Sequence, residues 1–432
     1  MYTDEEVRAR SVLEITNPIT YGPLNTPLPN GLYDPRLGPT DKFSSCVTCG
    51  SPQNLCPGHC GHIELCVPVY HPLIFPQLVK LLRTKCFFCH DFRMGKYDSK
   101  VFAAKIALIE HGKCIEALDL DGKLKGLNLK NDAGNTELNA EEYVAGILDK
   151  YGKTKSKVVL TSHERTIQRD IIKEFVTDSL AKKRCANCGA CSPKVRQDAH
   201  NKVFQSPLNQ KEKMINLAEG KKLSSALAKG SETDGYDSDE SDIDPAGEDL
   251  TDGDFLQADR EKAAEADKYL HPLEVEAQIK LTWARQPYLC SRAFAFSHCS
   301  EKSITKGYSA FFMRAISVPP SRFRPPMALD TMVAEHAQNT NLTKILQLNQ
   351  EIRSIFAAIT QLSEEAGNDD DSDVNPEDQR LQREKLHQRS ITIWIDLQLY
   401  INTFYDSSKA TDMNAPNGIR QLLEKKEGIF RK

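Results

Sequence analysis

The chain has 432 residues, 40% of them hydrophobic, and a formal net charge of −4. That size and apolar fraction allow two or three domains with real cores, and no run approaches the ~18–20 apolar residues of a membrane-spanning helix. The near-neutral charge argues against a nucleic-acid binder only on average, because the acid is concentrated in Ser231–Asp254 and in Glu364–Asp378 and the remainder is basic.

The first ten residues, MYTDEEVRAR, are charged and carry no secretory signal, which predicts a reducing compartment. Thr3-Asp4-Glu5-Glu6 is a capping box opening a short helix. Residues 17–41 are rich in Pro, Gly and Asn and read as loop and turn. Gly61–Val69 alternates apolar and polar residues as a strand does, and His71–Lys85 carries a helical apolar stripe. Further helices are predicted at Asp98–His111, Ala140–Lys150 and Thr161–Lys183, the last with its own capping box. The stretch from about Leu223 to Ala266 is acidic, Ser/Gly-rich and poor in large apolar residues, and is expected to be disordered. Order resumes with a helix from His271-Pro272 through Trp283, then a strand at Phe311–Val318. Two long helices, Asn341–Leu362 and Asp378–Asn402, flank an acidic loop and predict an antiparallel hairpin. Leu342, Ile345, Leu346, Leu348, Ile352, Ile355 and Phe356 mark one inner face. Leu381, Leu386, Ile391, Ile393, Trp394, Leu397 and Tyr400 mark the other, and polar positions such as Glu351 and Arg353 are expected on the outside.

Thirteen cysteines are present, and eight positions form metal-ligand half-sites. They are Cys46-x-x-Cys49, Cys56-x-x-His59, Cys86-x-x-Cys89 and Cys185-x-x-Cys188. Two ligands at i and i+3 across a tight turn reach one ion, and two such pairs complete the tetrahedron that Zn²⁺ prefers. Cysteines so spaced bridge each other poorly, which argues against a disulfide framework. Cys60, Cys66, Cys114, Cys290 and Cys299 are expected as small buried hydrophobes. Cys60 and Cys191 each lie beside a half-site and stay open as substitutes, as does His62 for His59. A RING-type scaffold interleaves a Cys-x-His pair soon after its first Cys-x-x-Cys; that pair is missing, and the later half-sites are far apart in the chain.

The strings that flank these ligands are more specific. Asn30-Gly31-Leu32-Tyr33-Asp34-Pro35-Arg36-Leu37-Gly38-Pro39, then Cys46-x-x-Cys49, then Leu55-Cys56-Pro57-Gly58-His59-Cys60-Gly61-His62-Ile63-Glu64-Leu65 resemble the amino-terminal clamp region of the largest subunit of multisubunit RNA polymerases. Val67–Leu73, Cys86–Arg93, Phe311–Arg314 and Val318-Pro319-Pro320-Ser321-Arg322-Phe323-Arg324-Pro325-Pro326 resemble the RNA polymerase I version more than the II or III versions. The resemblance covers nearly all of the chain outside the acidic insert.

It implies an α+β, multidomain, zinc-containing clamp, built of a clamp core and a clamp head, with a long antiparallel helical hairpin. The implied division is 1–75 clamp core, 76–222 clamp head, 223–266 insert, 267–308 return of the head, 309–340 strand and lid, 341–404 hairpin and 405–432 rudder. One Zn²⁺ would sit on Cys46, Cys49, Cys56 and His59, and a second on Cys86, Cys89, Cys185 and Cys188, with Cys191 as the departure that leaves the last ligand open. The family's Mg²⁺ is held by three aspartates in a motif absent here; Asp252-Gly253-Asp254-Phe255 lacks the third at the right spacing. The chain is thus expected to be part of a nucleotidyltransferase without its active site. Implied partners are the second-largest subunit and other polymerase subunits, template DNA, the RNA–DNA hybrid, and initiation and elongation factors at the hairpin, in the nucleus and nucleolus, with no membrane. A clamp holds nucleic acid by neutralising phosphates. The candidates are Lys182, Lys183, Arg184, Lys194, Arg196 and Lys202 near the second site, Arg322 and Arg324 in the lid, and Arg420 in the rudder, though any one of them can equally be a solvated surface charge.

Overall fold

A strand at Gly61–Tyr70 pairs antiparallel with Phe312–Val318, and much of the first half of the architecture is arranged around it. The computed structural model describes residues 2–23, 25–132, 140–152, 158–221, 267–294, 306–329, 332–368, 376–412 and 415–424. They divide into two units, Met1–Phe75 with Asp198–Lys202 and Ser309–Lys432, and Pro76–Gln197 with Val203–Tyr308. The secondary structure mixes helices with short sheets, an α+β composition. No helix among the described residues is long and apolar enough to cross a membrane.

In the first unit the predicted alternation is realised: Ile63, Leu65 and Val67 are buried in one core. Gly61 faces Val318 and Glu64 faces Ala315, but the register slips before Val69 meets Met313. Such a bulge strips main-chain groups of their ladder partners. Side chains supply replacements. On one side Asp4, in the capped helix Asp4–Arg10, accepts from Arg314 N and Ala315 N at 3.1 and 3.2 Å. On the other, Asn349 accepts from Cys66 N (2.9 Å) and donates to Glu64 O (2.8 Å), and Trp394 Nε1 donates to Pro68 O (2.9 Å).

Asn349 and Trp394 come from two long helices, Ala337–Asn368 and Pro376–Tyr405, which pack on each other. Leu342, Ile345, Leu346, Ile352 and Ile355 of one meet Ile393, Trp394 and Leu397 of the other in the core that also holds the strand. Leu381 is half-exposed and stands outside that seam. The first helix begins four residues before the apolar pattern does, because Gln338, Asn339 and Asn341 are polar yet buried. Arg353 is exposed and Glu351 partly so, as expected, and both are tethered: Glu351 pairs with Arg389 across the hairpin at 2.6 Å, and Arg353 reaches Glu64 O at 3.3 Å.

The second unit is mainly helical. Helices Lys96–Glu110 and Ser162–Ala181 surround an aromatic cluster in which Phe175 meets Phe92 edge-on (centroids 4.9 Å) and Phe102 at 5.6 Å. Helix Pro272–Arg285 starts on His271, whose Nδ1 accepts from Glu274 N, with Pro at the first turn as the sequence suggested. The predicted helix at His71–Lys85 is shorter, Phe75–Thr84, since a turn bonding Ile74 N to His71 O precedes it. Helices at Cys114–Leu118, Leu120–Asp132 and Gln210–Ala218 were not predicted; in the first and last the apolar Ile115, Leu118, Met214 and Leu217 are exposed and form no buried stripe, whereas Leu120 and Leu124 of the second are buried. The acidic insert, the hairpin tip, Asp252–Phe255 and Cys299 lie outside the described residues.

Candidate metal centres

Three of the four half-sites are the same local device. In Cys46–Gly50, Cys86–His90 and Cys185–Gly189 the fifth residue has a positive φ (67°, 58° and 71°). Its amide bonds back to the first cysteine's carbonyl at 2.8, 3.1 and 2.9 Å. A short antiparallel bridge closes each turn, Ser45 with Pro52, Lys85 with Phe92 and Arg184 with Cys191. Glycine takes the left-handed conformation at no steric cost in two of them; His90 takes it in the third. The turn aims both sulfurs of a Cys-x-x-Cys pair to one side.

The ligand atoms of Cys46, Cys49, Cys56 and His59 all lie within 4.8 Å of one another, and so do the four sulfurs of Cys86, Cys89, Cys185 and Cys188. Sulfur–sulfur separations are 3.7 Å for Cys49–Cys56, 3.6 Å for Cys86–Cys188 and 3.6 Å for Cys89–Cys185. A tetrahedron with Zn–S bonds of about 2.3 Å has edges of about 3.8 Å. His59 Nε2 is buried with no hydrogen-bond partner among the described residues, as a nitrogen reserved for a cation would be. Both groups could therefore hold a metal ion. In the second, hydrogen bonds from Cys185 and Cys89 hold the Cys86 thiol well below its ordinary range, while Cys185, beside Cys86, is pushed far up. The sulfurs share protons where a cation would replace them.

Two of the alternatives left open by the sequence stand outside the ligand groups. His62 hydrogen-bonds Ser11 Oγ at 2.8 Å through Nδ1 and stands outside the first group. Cys191 is buried but outside the second group; its main chain is held by Asn216, which accepts from Cys191 N (2.8 Å) and donates to Cys191 O (3.0 Å). Asn216 lies on the helix that the sequence reading missed. Cys290 is fully buried as expected, whereas Cys60, Cys66 and Cys114 are only half-buried.

The basic candidates separate sharply. Lys182, Lys183 and Lys194 are exposed and have no ion-pair partner among the described residues. Arg184 reaches Glu219 at 3.5 Å, and Arg196 pairs with Asp267 at 3.0 Å while lying over the Phe204 ring. Arg420 is bound by Asp406 (2.9 Å) and Glu424 (2.8 Å). Arg322 donates to Cys56 O at 2.6 Å and lines a cleft of about 300 Å³ beside the first group. Arg324 cannot meet phosphate, contrary to expectation: it is 0% exposed. Its guanidinium donates to Pro319 O, Leu32 O and Asn339 Oδ1 (2.6–3.0 Å) and lies over Tyr33. Tyr33 Oη in turn accepts from His336 N. The Asn30–Arg36 loop and the Val318–Arg324 segment are thus one packed assembly, and Pro320 closes against Gly58 of the first half-sites.

Residues 1–234, more than half of the chain, match the family model described as RNA polymerase Rpb1, domain 1. The chain belongs to this family. Across 100% of its length it is 31% identical to the DNA-directed RNA polymerase I subunit rpa1 of Schizosaccharomyces pombe and 30% identical to the DNA-directed RNA polymerase I subunit RPA190 of Saccharomyces cerevisiae. It spans 27% of the length of each. A shorter match, 42% identical over 24% of this chain and 12% of the relative, is to the DNA-directed RNA polymerase subunit Rpo1N of Methanothermobacter thermautotrophicus. The full-length similarity to RNA polymerase I subunits favours that class over polymerases II and III.

Proposed function

We propose that this chain is the clamp part of the largest subunit of RNA polymerase I, which closes over template DNA and the RNA–DNA hybrid during synthesis of the rRNA precursor in the nucleus and nucleolus. The observation that carries this reading is the pair of four-ligand groups, each within 4.8 Å, on a chain similar over its full length to the corresponding part of RNA polymerase I subunits. Zn²⁺ on Cys46, Cys49, Cys56 and His59 would brace the clamp core, and Zn²⁺ on Cys86, Cys89, Cys185 and Cys188 the clamp head. Zinc here supplies folding energy and leaves the chemistry of nucleotide addition to an aspartate-held Mg²⁺ elsewhere in the enzyme.

In this reading the head contacts DNA through Lys182, Lys183 and Lys194, exposed basic candidates with no ion-pair partner among the described residues. Arg184, Arg196 and Arg420 are already ion-paired, which lowers the gain from meeting a phosphate. Arg322 stays a candidate at the lid, whose antiparallel strands Met327–Leu329 and Met332–Ala334 follow directly. The hairpin Ala337–Asn368/Pro376–Tyr405 is the clamp's helical arm, and its exposed outer half is suited to initiation and elongation factors. The segment after Asp406 is the rudder. Affinity purification of the tagged chain tests the assignment. Recovery with a second large polymerase subunit is the expected result; recovery alone, with no other polymerase subunit, would refute it.

A further inference from the structure

We infer that Lys85 and Arg93 are the counter-charges of the centre formed by Cys86, Cys89, Cys185 and Cys188, an inference that rests on the zinc reading above. Lys85 is 0% exposed. Its Nζ donates to Gln278 O (2.8 Å) and Gln278 Oε1 (2.6 Å), lies 3.5 Å from His90 Nδ1, and stands over the Phe87 ring at 5.0 Å. None of these partners is an anion, and no carboxylate among the described residues reaches it. Asp91, close in sequence, is turned to Asn187, Arg285 and Gln286. Arg93 is half-buried and likewise lacks a carboxylate; its Nε donates to Lys85 O (3.1 Å), and its carbonyl accepts from Ala186 N (2.9 Å), so it ties the two turns together.

A buried cation without a counter-ion is strongly disfavoured. The anions available to this pair are sulfurs: Lys85 directly precedes Cys86, and the Arg93 carbonyl is bonded by Ala186 N, next to Cys185; Cys86, Cys290 and Cys89 act on Lys85, and Cys86, Cys185 and Cys191 on Arg93. Four thiolates around one Zn²⁺ leave two negative charges, and two cations balance them. Hydrogen bonds from Ser192 Oγ (3.5 Å) and Phe88 N (3.4 Å) to Cys86 Sγ spread the remaining charge. These are positioning residues for the ion, since neither is placed to ligate it.

The test is chelator-driven zinc release from the intact chain, followed with a metal-binding dye. Lys85→Met should speed the loss of one of the two ions about ten-fold, the scale at which groups behind metal ligands act, and leave the other unchanged. Cys89→His removes one negative charge from the centre. In the wild-type background it should weaken retention; in the Lys85→Met background it should restore it. A packing role for Lys85 does not produce that reversal. Wild-type release from Lys85→Met, or equal weakening by Cys89→His in both backgrounds, overturns the inference. If Lys85→Met does not fold, Arg93→Gln enters the same cycle with the same expected reversal. A wild-type chain that binds fewer than two zinc ions would instead overturn the metal reading itself.

Discussion

Gln398 closes both main-chain hydrogen bonds of Tyr70: its Oε1 accepts from Tyr70 N at 2.7 Å and its Nε2 donates to Tyr70 O at 2.9 Å. With Asn349 at Cys66 and Glu64, a helical side-chain amide stands on each side of the bulge where a strand partner would otherwise be. Gln398→Leu should therefore remove one hydrogen bond from Tyr70 N and one from Tyr70 O, each loss costing ~1–3 kcal/mol. Chemical denaturation should show a loss of about 2–6 kcal/mol. A midpoint equal to wild type would mean that the bulge finds other partners.

The choice between Cys188 and Cys191 has a direct readout. Cys188→Ser should reduce bound zinc by one ion per chain, because its sulfur lies 3.6 Å from that of Cys86. Cys191→Ser should leave both ions bound, since that side chain stands outside the group. Elemental analysis of the two purified variants decides it, and the reverse pattern would place Cys191 in the centre.

Gly58 is constrained twice. Its φ is 84°, and a Cβ there would lie 2.6 Å from Pro320 Cβ. Gly58→Ala should push the Val318–Arg324 segment off the first half-sites and cost several-fold in zinc retention at that site alone. Limited proteolysis near Pro320 should speed up in parallel. An alanine variant with wild-type zinc retention and wild-type cleavage would show that this close approach is dispensable.

His71 makes stability depend on pH. The ring packs against Tyr405 and its Nδ1 accepts from Leu73 N at 3.3 Å. Burial, with Lys409 adding to it, pushes its pKa down to about 4. The folded state thus holds the neutral ring, while the unfolded chain titrates near 6.5. The contribution is complete above about pH 6.5 and is lost as pH falls through about 4, a change on the order of 3 kcal/mol. His71→Asn keeps an acceptor for Leu73 N and should flatten the stability profile over that window. A variant profile as steep as wild type would assign the dependence to another group.

Arg324 and Lys183 should fail in opposite ways. Arg324→Ala removes the donor for Pro319 O, Leu32 O and Asn339 and should destabilise the first unit by about 3–5 kcal/mol, the range for breaking a buried charged network. Lys183→Ala should leave the melting temperature unchanged, weaken binding to duplex DNA, and reduce the slope of log affinity against log salt by about one. Binding isotherms at several salt concentrations, beside thermal melts, separate the two. A destabilised Lys183→Ala would mean that the exposed lysine supports the fold.

What the sequence determined by itself is what depends on near neighbours. Both capping boxes, the alternation of Ile63, Leu65 and Val67, and the two apolar hairpin stripes follow from backbone periods of two and 3.6. The half-sites were legible for the same reason, because a ligand pair at i and i+3 needs only one turn and a residue that tolerates positive φ. Tertiary structure decided the rest. Arg324 reads as a basic residue beside Arg322, and only the approach of Leu32, Asn339 and Pro319 buries it. Gln398 and Asn349 read as solvated helix positions until a bulged strand far away in the chain presents unpaired main-chain groups to them. Cys191, beside the Cys185-x-x-Cys188 half-site, stays open as a substitute by sequence alone; in the structure Asn216 grips its main chain and Cys188 joins the group. A side chain's period is set by its own backbone, but its partner is set by whatever distant segment the fold brings within hydrogen-bond reach.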